Sequence, residues 1–353
     1  MTIKNFSIEY DSINSRNIFT NGDTINGRII VEVSKEIKVQ SLVFIAKGRA
    51  NVCWHEQHGQ HVHVVYRSKE NYYDVKQHIL RETRQDGTEV IGRGRHVFPF
   101  SFKIPDRKMP STFKASIGKI VHKIKAELKQ SMRLTQKAKT HFTFVSKADM
   151  DTPGLMEPQF GSKDKTVSAF GSGTIAIDFH TRRMGYYQGE AFEVTADIKN
   201  NSSRSVKPKF VLYEKKSFLA QGRRRLYTNT ILKDKCDPVA SGSHQTVKKV
   251  ISIPPELPPS ILNCAIIKLE YRLKLYLDIK MATDPEIKFP VVVLPVFQDP
   301  DMRKKPASEE FGAFGYVQQP GWSAMAYPPP APPHSESPPP YGACADYPSY
   351  NKF

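Results

Sequence analysis

At 353 residues with a formal net charge of +17, the chain has room for two ordinary domains plus further sequence, and its basic balance points to anionic partners such as nucleic acid, inositol-lipid surfaces or phosphorylated protein tails. The longest apolar run, Phe289 to Phe297, is about half the ~20 residues that span a bilayer. The opening MTIKNFSIEYDS lacks the apolar core of a signal peptide, so a soluble cytosolic protein is expected.

The four cysteines, Cys53, Cys236, Cys264 and Cys344, lie far apart with no CxxC spacing, which argues against a zinc ribbon and a secreted disulfide framework and leaves reduced thiols as the expectation. The charge is unevenly spread: residues 301–353 hold four Lys/Arg against five Asp/Glu, leaving 48 against 30 for residues 1–300. The body is basic and the tail is not.

In chain order, the first clear element is the run Thr20-Asn-Gly-Asp-Thr-Ile-Asn-Gly-Arg-Ile-Ile-Val-Glu-Val, a turn followed by an alternating strand. The segment Cys53 to His63 is rich in histidine. On a strand His61 and His63 would share a face, but with no second ligand cluster at structural spacing the reading is a hairpin rim with solvent-facing histidines and no metal site. Asp86-Gly87 marks a turn, and Phe98, Phe100, Phe102 and Ile104 alternate as in a half-buried strand.

From Ile117 through Ile124 to Leu128 the apolar spacing fits either a helix with a lysine-rich opposite face or a strand; the strand is preferred. Between Asp149 and Ala169 the apolar pattern thins around Pro153, Gly154, Pro158 and Gly161, which suggests a domain join. Ile175, Ile177 and Phe179, then Phe192, Val194, Ala196 and Ile198, predict two more strands, with Asn200-Asn201-Ser202-Ser203 and Ser241-Gly242-Ser243 as turns.

Lys215 and Lys216 precede Arg223, Arg224 and Arg225 as they would on the two strands of a hairpin. Such a patch could hold phosphates of lipid or of phosphorylated cargo, although basic residues also guard exposed strand edges. The longest signal is Ile267 to Ile279, where seven apolar residues alternate with polar ones, placing all seven on one face of a long antiparallel strand.

An internal echo sets the architecture. Tyr187-Gln-Gly-Glu-Ala-Phe-Glu-Val-Thr-Ala-Asp-Ile repeats the outline of the run from Thr20, with Gly189 in the place of Gly22 and Glu190 in that of Asp23. The domain-sized offset predicts two similar sandwiches in tandem.

Beyond Pro295 the composition changes: eleven of the last 53 residues are proline, too few aliphatic residues remain for a core, and a disordered, partly polyproline-II tail is expected. Within it, Pro338-Pro339-Pro340-Tyr341 spells Pro-Pro-x-Tyr. Polyproline II is populated before binding, so the proline pair can enter an aromatic groove at little ordering cost while the tyrosine fills a second pocket. Tyr347-Pro348-Ser349-Tyr350 is a degenerate version lacking the first proline.

Catalysis has little support. There is no GxSxG, HExxH, Walker A or GxGxxG sequence, so neither a catalytic residue nor a cofactor is expected. Nucleic-acid binding would explain the charge, but the aromatic residues fall on predicted core faces and not on a basic stacking surface.

The segment His96-Val-Phe-Pro-Phe-Ser-Phe-Lys-Ile-Pro105 followed by Pro110-Ser-Thr-Phe113, then Gly185-Tyr-Tyr-Gln-Gly-Glu190 with Asn200 to Ser203, and Ile253-Pro-Pro-Glu-Leu-Pro258 leading into Ile267-Lys-Leu-Glu-Tyr271, together resemble the alpha-arrestins, or arrestin domain-containing proteins, over residues 1 to about 297. The resemblance implies an all-β protein: an arrestin-like N-domain over 1–150, an arrestin-like C-domain over 165–297, both of immunoglobulin-like sandwich type, and a disordered tail over 298–353. It further implies an adaptor that links transmembrane receptors or transporters to WW-domain HECT-type ubiquitin ligases, cytoplasmic and recruited to plasma membrane and endosomes. Pro338, Pro339 and Tyr341 would carry ligase recruitment. Alpha-arrestins commonly carry two such motifs, whereas this sequence has one complete copy. A ligase-independent sorting scaffold of the same fold is the alternative.

Overall fold

Strict apolar-polar alternation is what a strand needs to bury one face and wet the other, and it organises most of the chain. A computed structural model describes residues 2–59, 62–80, 89–167, 173–280 and 282–296. In the amino-terminal half the strands are β1 (Ile3–Tyr10), β2 (Ile18–Phe19), β3 (Thr24–Val33), β4 (Ile37–His58), β5 (Val62–Leu80), β6 (Glu89–Ile91), β7 (Gly94–Lys103), β8 (Phe113–Lys114), β9 (Gly118–Gln130) and β10 (Gln136–Phe144). They form a three-stranded sheet, β1-β3-β7, and a seven-stranded sheet ordered β2-β10-β9-β4-β5, with β6 paired to β4 and β8 to β9.

The carboxy-terminal half contributes β11 (Gln159–Val167), β12 (Gly173–Thr181), β13 (Gly185–Tyr187), β14 (Ala191–Ser202), β15 (Lys207–Ala220), β16 (Arg223–Lys235), β17 (Ser243–Ser252), β18 (Ile267–Asp278) and β19 (Glu286–Leu294). Here a four-stranded sheet, β11-β12-β14-β17, faces a five-stranded one, β13-β19-β18-β15-β16. Both halves are β-sandwiches, as the alternation and the echo predict.

Each sandwich is closed by a phenylalanine group that bridges its sheets. In the first half Phe44 of β4 stacks on Phe100 of β7 with centroids 4.4 Å apart and lies 6.0 Å from Phe102. In the second, Phe179 of β12 stacks on Phe289 of β19 at 4.7 Å and meets Phe210 of β15 at 6.0 Å. Around these groups the seven apolar side chains from Ile267 to Ile279 are all buried, each stabilising by about 1.5–3 kcal/mol for a Leu or Ile relative to an exposed position.

The echo between Gly22 and Gly189 is structural. Both glycines have a left-handed backbone, with φ of 82° and 78°, a conformation that costs a residue with a Cβ. The following acid closes the turn in the same way each time: Asp23 accepts from the backbone N–H of Thr20 at 2.7 Å, and Glu190 from that of Tyr187 at 2.8 Å. In each half a short strand then lies parallel to the last long one, β2 beside β10 and β13 beside β19.

The strand preferred over residues 117–128 is present as β9, with even-numbered residues buried and odd-numbered ones facing outward, and two further details differ from the sequence reading. Asn200, Asn201 and Ser202 end strand β14 instead of forming a turn; the buried Asn200 amide donates to the carbonyls of Arg204, Val239 and Ala240, so its polar side chain serves the strand end from within. The stretch from Asp149 to Ala169 contains the full strand β11, whose edge position leaves Ser162, Lys163, Asp164 and Thr166 in water and therefore hides it from any apolar pattern. Asp86-Gly87 and residues 297–353, including the Pro-Pro-x-Tyr motif, lie outside the described residues.

Candidate functional site

The two halves share one buried core. Gly118 of β9 lies directly against Phe218 of β15: a Cβ placed there would sit 2.5 Å from the Phe218 ring and 3.2 Å from Ile267, so only glycine allows this approach. Nearby, the Tyr72 hydroxyl donates to Cys264 Sγ at 3.2 Å, and the Ala265 N–H donates to the Glu70 carboxylate at 2.7 Å. The long β4-β5 hairpin ends in a further link, in which Glu56 accepts from both Trp54 Nε1 and the Arg225 guanidinium at 2.9 Å.

That link bears on the patch read from sequence. Lys215, Lys216, Arg223, Arg224 and Arg225 do sit on one hairpin, β15-β16, turned by Gln221 and Gly222 with positive φ. The fold nevertheless divides them, because consecutive strand residues point to opposite faces. Lys215 lies 3.6 Å from Glu270, Lys216 lies 2.6 Å from Glu214, and Arg225 is held by Glu56. Arg224 donates to the Ser217 hydroxyl. Arg223 and Arg224 are the two left exposed to solvent.

A larger cationic surface lies on the other half. On the outward face of the seven-stranded sheet stand Lys137 and Lys139 of β10, Lys119, Lys123, Lys125 and Lys129 of β9, Lys47 and Arg49 of β4, and Arg67, Lys69 and Lys76 of β5. The register sets like charges directly opposite each other: Lys139 faces Lys125, while His141, Lys123 and Lys47 form a row across three strands. Ile45, between Lys125 and Lys76 in the ladder, is buried, which fits the lysine stems covering it while their ammonium groups reach water.

Against these eleven cations the face holds, among the described residues, two carboxylates, Asp74 bound to Lys47 at 2.6 Å and Glu127 bound to Lys125. Burial, then the charges of Arg49, Lys125, Lys139 and Lys47, hold the Lys123 ammonium below the usual lysine range. Burial and then Lys123, Lys139 and Lys119 likewise lower His141. In both groups burial is the larger cause and the neighbouring cations act in the same direction.

The equivalent face of the second half behaves differently. There Lys209 is bound by Asp278 and Lys288 by Glu286, Arg272 lies 3.5 Å from Glu270, Lys274 lies 3.5 Å from Glu286, and the ammonium groups of Lys209 and Lys274 stand over the Tyr276 ring. Carboxylates there hold Lys209, Lys215, Arg272, Lys274 and Lys288, while Lys207, Lys233, Lys235 and Lys268 stand on the same face without an ion pair among the described residues. The signal for the uncompensated face was present in sequence as alternate lysines over 119–129 and 137–139, but which strands become neighbours is a property of topology.

Among the described residues no group of three or more His, Cys, Asp or Glu is placed to hold a metal ion. Cys53, Cys236 and Cys264 are separate free thiols, and His61 lies outside the described residues. No helix among them is long and apolar enough to cross a membrane.

Residues 6–151 match the family model of the arrestin (or S-antigen) N-terminal domain, and residues 171–296 that of the C-terminal domain. Arrestin domain-containing protein 4 of Mus musculus is 29% identical over 287 residues, covering 79% of this chain and 69% of the relative; its Homo sapiens counterpart is 29% identical over 283 residues, covering 78% and 68%. Thioredoxin-interacting protein of Mus musculus is 26% identical over 298 residues, covering 82% and 73%. With both arrestin models matched in order and two sandwiches built on the same turn device, the chain belongs to the alpha-arrestin family of arrestin domain-containing proteins.

Proposed function

We propose that this chain is a trafficking adaptor in which the arrestin body engages a transmembrane receptor or transporter while Pro338, Pro339 and Tyr341 recruit a WW-domain HECT-type ubiquitin ligase, promoting ubiquitination and endocytic sorting of the cargo at plasma membrane and endosomes. The observation that carries the reading is the pairing of an alpha-arrestin body with a Pro-Pro-x-Tyr peptide in a proline-rich stretch of the same chain. Pro340 occupies the variable place of that motif.

About 40 residues separate β19 from Pro338. A flexible linker of that length has a root-mean-square span of roughly 35 Å, enough for a ligase held at the motif to reach lysines on cargo bound to the body. Tethering raises the effective concentration of ligase near cargo without any catalytic group on the adaptor. With one complete motif, engagement of a single WW domain is expected.

Proximity labelling in cells separates this reading from a ligase-independent sorting scaffold. The wild-type chain is expected to label both integral membrane proteins and WW-containing ligases, and Tyr341→Ala to lose the ligases by at least tenfold while keeping the membrane proteins. Equal ligase labelling by both chains would favour the scaffold.

A further inference from the structure

We propose that the outward face of β10, β9, β4 and β5 is a docking surface for a membrane bearing multiply phosphorylated lipid headgroups. The inference rests on the adaptor reading for its setting and on the charge of this face for its content. Like charges placed directly opposite on paired strands are destabilising, yet here Lys139 faces Lys125, and Lys123 is flanked by His141 and Lys47. Arg49, Lys119, Lys123 and Lys139 make no ion pair among the described residues. An anion arriving at this face relieves repulsion that the folded chain leaves in place: carboxylates hold two of its eleven cations, Lys47 and Lys125, whereas on the second half Asp278, Glu270 and Glu286 hold five, Lys209, Lys215, Arg272, Lys274 and Lys288.

The arrangement favours a surface over a peptide. The cations cover four strands, about 14 Å across at the usual inter-strand spacing, and the ten-residue reach from Lys119 to Lys129 adds roughly 33 Å along the strands. They form a two-dimensional array, not a line. β9 and β4 are interior strands with neighbours on both sides, so no free main-chain edge exists there to pair with an extended peptide. Recognition must run through side-chain charge, which suits headgroups packed in a plane. Opposed lysines stand within about 5 Å at their Cβ atoms, so several ammonium groups converge on one headgroup and a multivalent phosphate is preferred to a singly charged one.

The test is co-sedimentation of the full chain with phosphatidylcholine vesicles carrying a few mole per cent of phosphatidylinositol bisphosphate, against vesicles matched in charge with phosphatidylserine, at about 0.15 M salt. The wild type is expected to bind the bisphosphate vesicles at least tenfold more tightly than the matched ones. Replacing Arg49, Lys119, Lys123 and Lys139 together by glutamine is expected to reduce binding at least tenfold. The same replacement at Arg223, Arg224, Lys233 and Lys235, which removes equal charge from the second half, is expected to change it by less than about twofold. Equal losses from both variants, no loss from the first, or no preference for the bisphosphate would overturn the proposal. So would a soluble multiply phosphorylated peptide that binds this face while vesicles do not.

Lysine acetylation of the wild-type chain supplies an arm independent of any variant. Vesicles are expected to protect Lys119, Lys123 and Lys139 and to leave Lys233 and Lys235 reactive; the reverse pattern would refute the assignment. A Tyr341→Ala chain is expected to bind vesicles as the wild type does. Loss of vesicle binding with intact WW capture therefore fails this face alone, and loss of WW capture with intact vesicle binding fails the adaptor reading alone.

Discussion

Phe179→Ala is expected to destabilise the whole body, not only the sandwich that contains it, by about 3–5 kcal/mol. The side chain is 1% exposed and packs between the sheets on Phe289 and Phe210, so truncation removes stacking partners on β15 and β19 and leaves a cavity that paired strands cannot close. The buried apolar residues of both halves form one contiguous cluster, and residues 1–298 form one compact unit. The two sandwiches should therefore unfold together. Trp54, stacked on Tyr66 in the first half with centroids 5.3 Å apart, reports this from a distance: its fluorescence transition in Phe179→Ala should shift with the loss of β-sheet circular dichroism. A Trp54 transition that stays at the wild-type midpoint while the dichroism falls earlier would show that the halves are energetically independent.

Stability should also fall between about pH 6.5 and pH 4 because of one buried imidazole. His122 is fully enclosed among Tyr72, Tyr73, Phe142 and Phe144. Pro110 O can only accept, so Nε2 donates to it at 3.2 Å, leaving Nδ1 to accept from the Tyr73 hydroxyl at 3.1 Å. The ring is thus held neutral, with both nitrogens satisfied and no room for a second proton. Burial lowers its pKa to about 4, with the Pro110 contact opposing weakly.

An unfolded histidine titrates near 6.5. Below that value the unfolded chain gains a proton that the folded one refuses, so the contribution of His122 is fully present above pH 6.5 and is lost as pH falls toward 4. The difference amounts to about 3 kcal/mol at the acid end. Urea midpoints at pH 7 and pH 4.5 measure it. The wild type should lose more stability across that interval than His122→Gln, which keeps a polar side chain but cannot titrate. Equal losses would mean that carboxylates alone set the acid sensitivity.

The fold was legible where burial is one-sided. Ile267 to Ile279 alternates so cleanly because β18 has a wet face and a core face along its whole length, and the paired glycine-acid turns at Gly22 and Gly189 exposed the tandem architecture because positive φ restricts the residue that can stand there. What was missed has equally local causes. β11 is an edge strand whose charged residues carry no apolar period. The Asn200 cluster reads as a turn, since asparagine and serine favour local backbone bonds, yet burial puts the amide to use inside a strand end.

For the functional surfaces the same division holds. Grouping Lys215, Lys216 and Arg223 to Arg225 follows from their nearness in sequence, but their acidic partners, Glu56 above all, come from strands far away in the chain. The uncompensated lysine face is likewise assembled from β4, β5, β9 and β10, and only the register sets Lys123 beside Lys47 and His141. Charge spacing along one strand was readable; its compensation across strands was not.

Ligase recruitment is expected to reside in a short peptide that the body merely carries. Calorimetric titration of an isolated WW domain into the full chain tests it most directly. The expected result is one site per chain, a loss of at least tenfold in affinity, or about 1.4 kcal/mol, on Tyr341→Ala, complete loss when residues 328–353 are deleted, and an unchanged melting temperature in both variants. A WW domain that binds the truncated chain as well as the full one would contradict it.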